Sequence, residues 1–244
     1  MKLYDESITG IYHKLDGLPG HPLDVSAPEA CWPDVGDDNV ILRGDMAYEL
    51  GGGRLAALSG LAITSSEQLV SGDEVLLYGP DLTELSADAP YARIAVVRVA
   101  EDGLGEGNEL YNAIRKIEYV RYHINPKGYM TRISASNERE PVRISKEAIT
   151  GGINFAKVGK LFMDSYHKNP KIEAVKLIFI TIPDFSYEEL ETQIRKNEQI
   201  TATIDHVLKN LVMDCNACNL KPICDEVEGM KELHFAQSGQ ILEG

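Results

Sequence analysis

Cys215, Cys218 and Cys224 could do chemistry together, because thiolates spaced Cys-x2-Cys-x5-Cys can turn one stretch of backbone around a soft metal centre. The chain has four cysteines in 244 residues, and three of them fall in the run Cys215 to Cys224. An iron–sulfur cubane would take one thiolate on each of three irons and leave the fourth iron for another ligand. Zinc would need a fourth protein ligand, and His234 could complete a site of three cysteines and one histidine. The Cys224-to-His234 spacing is longer than in compact zinc modules, so iron–sulfur ranks above zinc. Cys31 could also supply the fourth ligand if the N-terminal arm folds back. Chance clustering and a loop disulfide are the non-metal alternatives. The opening Met1-Lys2-Leu3-Tyr4-Asp5-Glu6 lacks the apolar core of a secretion signal, which predicts a cytoplasmic protein with reduced thiols.

A second set of candidates is basic. Arg115, Arg121, Arg132 and Arg143, with Lys116 and Arg139 among them, could face a polyanionic cofactor such as coenzyme A, since guanidinium forks match phosphates. The plainer reading pairs them with Glu118, Glu138 and Glu140 as solvated charge. Other catalytic signatures are missing from the sequence. It contains no Gly-x-Ser-x-Gly elbow, no His-Glu-x-x-His and no Walker loop. Gly51-Gly52-Gly53 lacks the Lys-Ser/Thr ending of a phosphate loop and reads as a turn needing positive φ. His13, His21, His123, His167 and His206 are scattered and form no motif.

The net charge of −14 is uneven. Residues 1–106 carry 19 acidic against 6 basic side chains, and residues 107–244 carry 19 against 18. Such a balance argues against nucleic acid, whose binding depends on Lys and Arg displacing counterions from phosphates. It favours solubility, with a docking face for a basic partner as the sharper alternative. No apolar run reaches the ~20 residues a membrane span requires.

The elements that would position these residues follow from periodicity. Ile8, Ile11, Tyr12 and Leu15 mark a short helix, and the Gly- and Pro-rich run from Asp16 to Asp38 an extended arm with Trp32 as its anchor. Short apolar runs between Val40 and Val99 predict a β-rich stretch. Helices follow at Leu110 to Ile124 and Phe155 to Tyr166, with a strand from Tyr129 and a loop at Arg139-Glu140-Pro141. Val175 to Ile182 is almost continuously apolar, which predicts a central strand covered on both faces. Ser186-Tyr187-Glu188-Glu189 is a capping box, with Phe185 and Leu190 as its staple. It opens a helix whose stripe of Leu190, Ile194, Ile204, Leu208 and Leu211 leads to the cysteines. The organisation expected is a helix and arm over 1–38, an α+β domain over 39–211, and a cysteine loop and tail over 212–244. The fold class is α+β, mainly antiparallel with packed helices.

Tyr48-Glu49-Leu50-Gly51-Gly52, Gly72-Asp73-Glu74-Val75 and Tyr78-Gly79-Pro80-Asp81-Leu82 resemble the opening of the beta subunit of the CO dehydrogenase/acetyl-CoA synthase complex. Met130 to Ser134, Phe155 to Lys160 and Val175 to Ile180 fit the same family in order, and the resemblance covers roughly residues 40–225. It implies the fold of the middle domain of acetyl-CoA synthase. It also implies one-carbon, corrinoid-linked metabolism under anaerobic conditions. In that family a [4Fe-4S] cubane bridged to nickel-site metals joins a methyl group, CO and coenzyme A, and Cys215, Cys218 and Cys224 correspond to three cubane ligands. The third cysteine comes closer to the second than in the family, and no Cys-Gly-Cys segment follows before Gly244. The expectation is therefore a [4Fe-4S] cluster, no nickel site, and no complete acetyl-CoA synthesis by this chain alone. The alternatives are a docking or accessory module for a corrinoid protein, methyltransferase or CO dehydrogenase subunit, and a zinc-stabilised regulatory domain.

Overall fold

The computed structural model describes residues 2–26, 40–41, 44–101, 103–105, 108–124, 126–132, 139–208, 220–227 and 229–230. Its α+β architecture, the class expected, rests on two sheets. Five strands form the larger: β1 (Gly20–Pro22), β3 (Ala57–Thr64), β4 (Glu74–Tyr78), β5 (Tyr91–Val99) and β8 (Ile172–Ile180), in the order β1-β4-β8-β5-β3. The smaller is antiparallel, with β2 (Ala47–Leu50), β7 (Val142–Ser145) and β6 (Tyr129–Thr131) in the order β2-β7-β6. The larger sheet is mixed, because β3 runs parallel to β5 and β4 parallel to β8, while β5 opposes β8 and β1 opposes β4. Four of the six pairings in the two sheets are antiparallel.

β8 lies at the centre of the larger sheet, as its apolar run predicts. Both its faces are covered. On one face α4 (Phe155–His167) packs against β8 and β4, where a Cβ on Gly159 would lie 2.8 Å from Val75 Cγ1. On the other, α5 (Tyr187–Leu208) crosses β3 so closely that a Cβ on Gly60 would lie 2.9 Å from Ile194 Cγ1. Helix α1 (Asp5–Leu15) lies along α5 and buries Ile8, Ile11 and Leu15, the stripe read from the sequence. Helix α2 (Asn108–His123) meets both α4 and α5, and the short α3 (Lys146–Thr150) follows β7. A 3-10 turn, Leu82–Glu84, is closed by a capping box from Asp81, which also accepts from Phe155 N at 2.8 Å and so ties the turn to the start of α4.

Several local expectations hold. Gly51 and Gly53 have φ of 74° and 61°, the left-handed turn that the glycine triplet called for. Ser186 precedes the first residue of α5, the helix start expected, and its carbonyl accepts from Leu190 N, while Glu189 pairs with Lys14 of α1 in place of the expected capping box. Leu190, Ile194 and Ile204 are buried on α5. The arm expected after α1 contributes β1, an exposed edge strand, and Leu23 N bonds onward to Val75 O at 2.8 Å. Trp32 and Leu211 lie outside the described residues.

Candidate functional site

Of the three clustered cysteines the structure describes Cys224; Cys215 and Cys218 lie outside the described residues, as do Cys31 and His234. Cys224 sits half-buried on α6 (Lys221–Glu226), a short helix with Pro222 in its first turn. α6 packs against α5, and Ile223, Val227 and Met230 around it are buried in the same apolar core as α1 and α5. The C-terminal end of the cysteine motif is therefore anchored to the body. Among the described residues, no three His, Cys, Asp or Glu side chains gather where they could hold a metal ion.

The candidate arginines fall into three separate places. Arg115 is about half exposed on α2 and pairs with Glu118. Arg132, also about half exposed, pairs with Glu49 of β2, and Arg143 reaches the same Glu49 Oε1 at 3.3 Å. Arg121 alone of the four is buried. Arg139 donates to the carbonyls of Gly51, Gly53 and Leu55 and so pins the glycine turn.

Around Arg121 lies a charged group inside the protein. Arg121 Nη2 is 2.9 Å from Glu140 Oε1, and Arg93 Nη2 is 3.2 Å from Glu140 Oε2, with all three side chains 4% exposed. Ser59 of β3 accepts from Arg121 Nε at 2.9 Å and from Arg93 Nη2 at 3.2 Å. Arg93 also donates to Arg121 O at 3.0 Å and lies over the ring of Phe162, 4.3 Å from its centroid. Glu198 of α5 stands 3.6 Å from Arg121. Burial, with Glu140 and Glu118 nearby, pushes the Glu198 carboxyl above its ordinary pKa, and Arg121 opposes the shift. Burial likewise raises the hydroxyls of Tyr91, Tyr129 and Tyr166, the last to about 12. These phenols are neutral hydrogen-bonding groups at physiological pH, and Tyr91 and Tyr129 join the two sheets through a 2.5 Å contact between their hydroxyls.

Sequence reasoning missed Arg93, Ser59 and Glu198. Arg93 did leave a signal: it is an arginine inside the otherwise apolar run Tyr91 to Val97, and a cation there requires a buried partner. Ser59 and Glu198 left none, since their roles depend on what folds against them.

Fold and charge together define an α+β protein whose sheet is sandwiched between helices and sealed at one edge by paired arginines. Over residues 35–184, about three-fifths of its length, the chain matches the family of the CO dehydrogenase/acetyl-CoA synthase complex beta subunit, and it belongs to that family. The family is associated with metal clusters. The matched span holds β2 to β8 and α2 to α4, and it ends before α5 and the clustered cysteines. None of the curated proteins compared with the chain matches it. No described helix is long and apolar enough to cross a membrane.

Proposed function

We propose that this chain is an acetyl-CoA-synthase-related protein that holds an iron–sulfur cluster on Cys215, Cys218 and Cys224. It works in the cytoplasm beside a corrinoid protein, methyltransferase or CO dehydrogenase subunit in one-carbon metabolism. The observation that carries the reading is Cys224, half-buried on a helix anchored by Ile223, Val227 and Met230, at the end of a three-thiol motif in a member of this family. The donor set fits: three thiolates suit iron or zinc, and an anchored third ligand lowers the ordering cost of closing the loop. When bound, a cubane held by three thiolates would supply one iron able to take a further ligand. The cysteines bind and orient it; the apolar side of α6 keeps Cys224 in place. Arg121 is a structural residue in this reading, since Ser59 and Glu140 take its donors. Arg115 and Arg132 are the exposed arginines through which a polyanion such as coenzyme A would be met.

Anaerobic reconstitution with iron and sulfide, followed by iron analysis and Mössbauer spectroscopy, tests the proposal. Wild-type protein should take up about four irons, the content of a cubane, and Cys215→Ser/Cys218→Ser/Cys224→Ser should take up none. Equal iron in the two proteins overturns it, and zinc retained by the wild type alone would put the zinc reading in its place.

A further inference from the structure

The outer edge of β3 is capped by donors from other elements. No strand pairs there among the described residues; instead successive outward carbonyls meet separate donors. Leu55 O accepts from Arg139 at 2.6 Å, Ala57 O from Glu140 N at 3.0 Å, and Ser59 O from Arg121. Strand alternation turns the backbone groups of Leu61 and Ile63 the same way. Both residues line a small space of about 10 Å³ between β3, α2, α5 and Tyr4. Asn197 of α5 lines it as well. Its side chain is buried, at 1% residue exposure, and neither Oδ1 nor Nδ2 has a hydrogen-bond partner in the protein. A buried amide left in that state is destabilising, so it calls for a partner.

We propose that this space is a binding site for one water molecule, held by Asn197 and the outward backbone of β3. Size sets the first limit, since about 10 Å³ is the room of a single water and excludes organic ligands. Charge sets the second. Arg121 is already balanced by Glu140 and Glu198, and Glu118 by Arg115, so neither a cation nor an anion is called for. Donor and acceptor chemistry sets the third: the amide offers one of each, and water both donates and accepts. Tyr4 and Thr201, which also line the space, bond each other at 2.9 Å and not the amide. The water thus continues the series of donors along β3, after Arg139, Glu140 and Arg121.

Two measurements on the full chain test the site. A crystal structure at about 1.8 Å should show an ordered water within hydrogen-bond distance, about 3.2 Å, of Asn197 Oδ1 or Nδ2. Oxygen-17 relaxation dispersion should count one fewer long-lived internal water in Asn197→Leu than in the wild type. An empty site, or an Asn197 amide bonded only to protein, overturns the proposal. So does an unchanged water count in a folded Asn197→Leu protein. If that variant does not fold, the wild-type crystal structure decides alone.

Discussion

The five-stranded sheet and the helices α1, α5 and α6 lie against each other, yet they are held differently. The sheet's inner strands are almost wholly apolar: every residue of β5 but Arg98 is buried, and Ile178, Phe179 and Ile180 of β8 are fully so. Helix α1 meets its surroundings through a mixture. Ile8 and Ile11 enter the core, while Tyr4 bonds Thr201, Ser7 bonds Gln193 O, Lys196 pairs with Glu6, and Thr64 of β3 bonds Asp5. The family match covers the sheet apart from β1 and omits all three of these helices. The part shared with the family is thus the sheet with helices α2 to α4; three of these contacts tie α1 to α5, while Thr64 with Asp5 and Arg121 with Glu198 form the polar seam to the body. Polar contacts need geometry as well as burial, so the seam fixes one position for α5 where a purely apolar face would tolerate several.

The largest expected effect comes from breaking the buried charged group of the body, beside the seam. Glu140→Ala leaves Arg93 and Arg121 buried without their carboxylate and should cost about 3–5 kcal/mol in equilibrium urea unfolding. A cost of about 1 kcal/mol or less, the size of an exposed pair, would mean the group is solvated.

An intermediate effect tests how closely α5 sits on the sheet. Gly60→Ala puts a methyl against Ile194 and should cost about 1–3 kcal/mol by overpacking. Combined with Ile194→Ala, the new methyl enters space the isoleucine has left, so the double variant should lose less than the two single losses added. Strict additivity would show that α5 is not where Gly60 permits it to be.

The smallest effect concerns pH. A carboxyl whose pKa is raised by folding, as at Glu198, contributes stability below its ordinary pKa, and that contribution is lost as pH rises through the raised value. Glu198→Gln should therefore flatten the melting-temperature profile from the ordinary glutamate range upward and leave the neutral-pH fold intact. An identical slope in both proteins across that range would remove Glu198 from the seam.

Much of the architecture was legible in local pattern. Apolar spacing placed α1 and α4, because a helix that packs on a sheet must repeat its apolar side chains every third or fourth residue. The uninterrupted run ending β8 announced a strand covered on both faces. The family resemblance came from turn motifs together with strand and helix runs in order along the chain, and the match over 35–184 supports it. The arginines were less legible. Read together by their closeness in the chain, they separate in space onto Glu118, Glu49 and Glu140, because β6, β7 and α2 carry them to different edges.

Element type, the central strand and the three-thiol spacing were determined by the sequence alone, since each depends on residues close together in the chain. Tertiary structure alone decided which arginine is buried, which carboxylate it meets, and that the outer edge of β3 is capped by Arg139, the Glu140 backbone and Arg121. Those contacts join residues 19 to 84 positions apart. No local periodicity encodes such a pairing, because it is chosen only when desolvation forces each buried charge to find its partner.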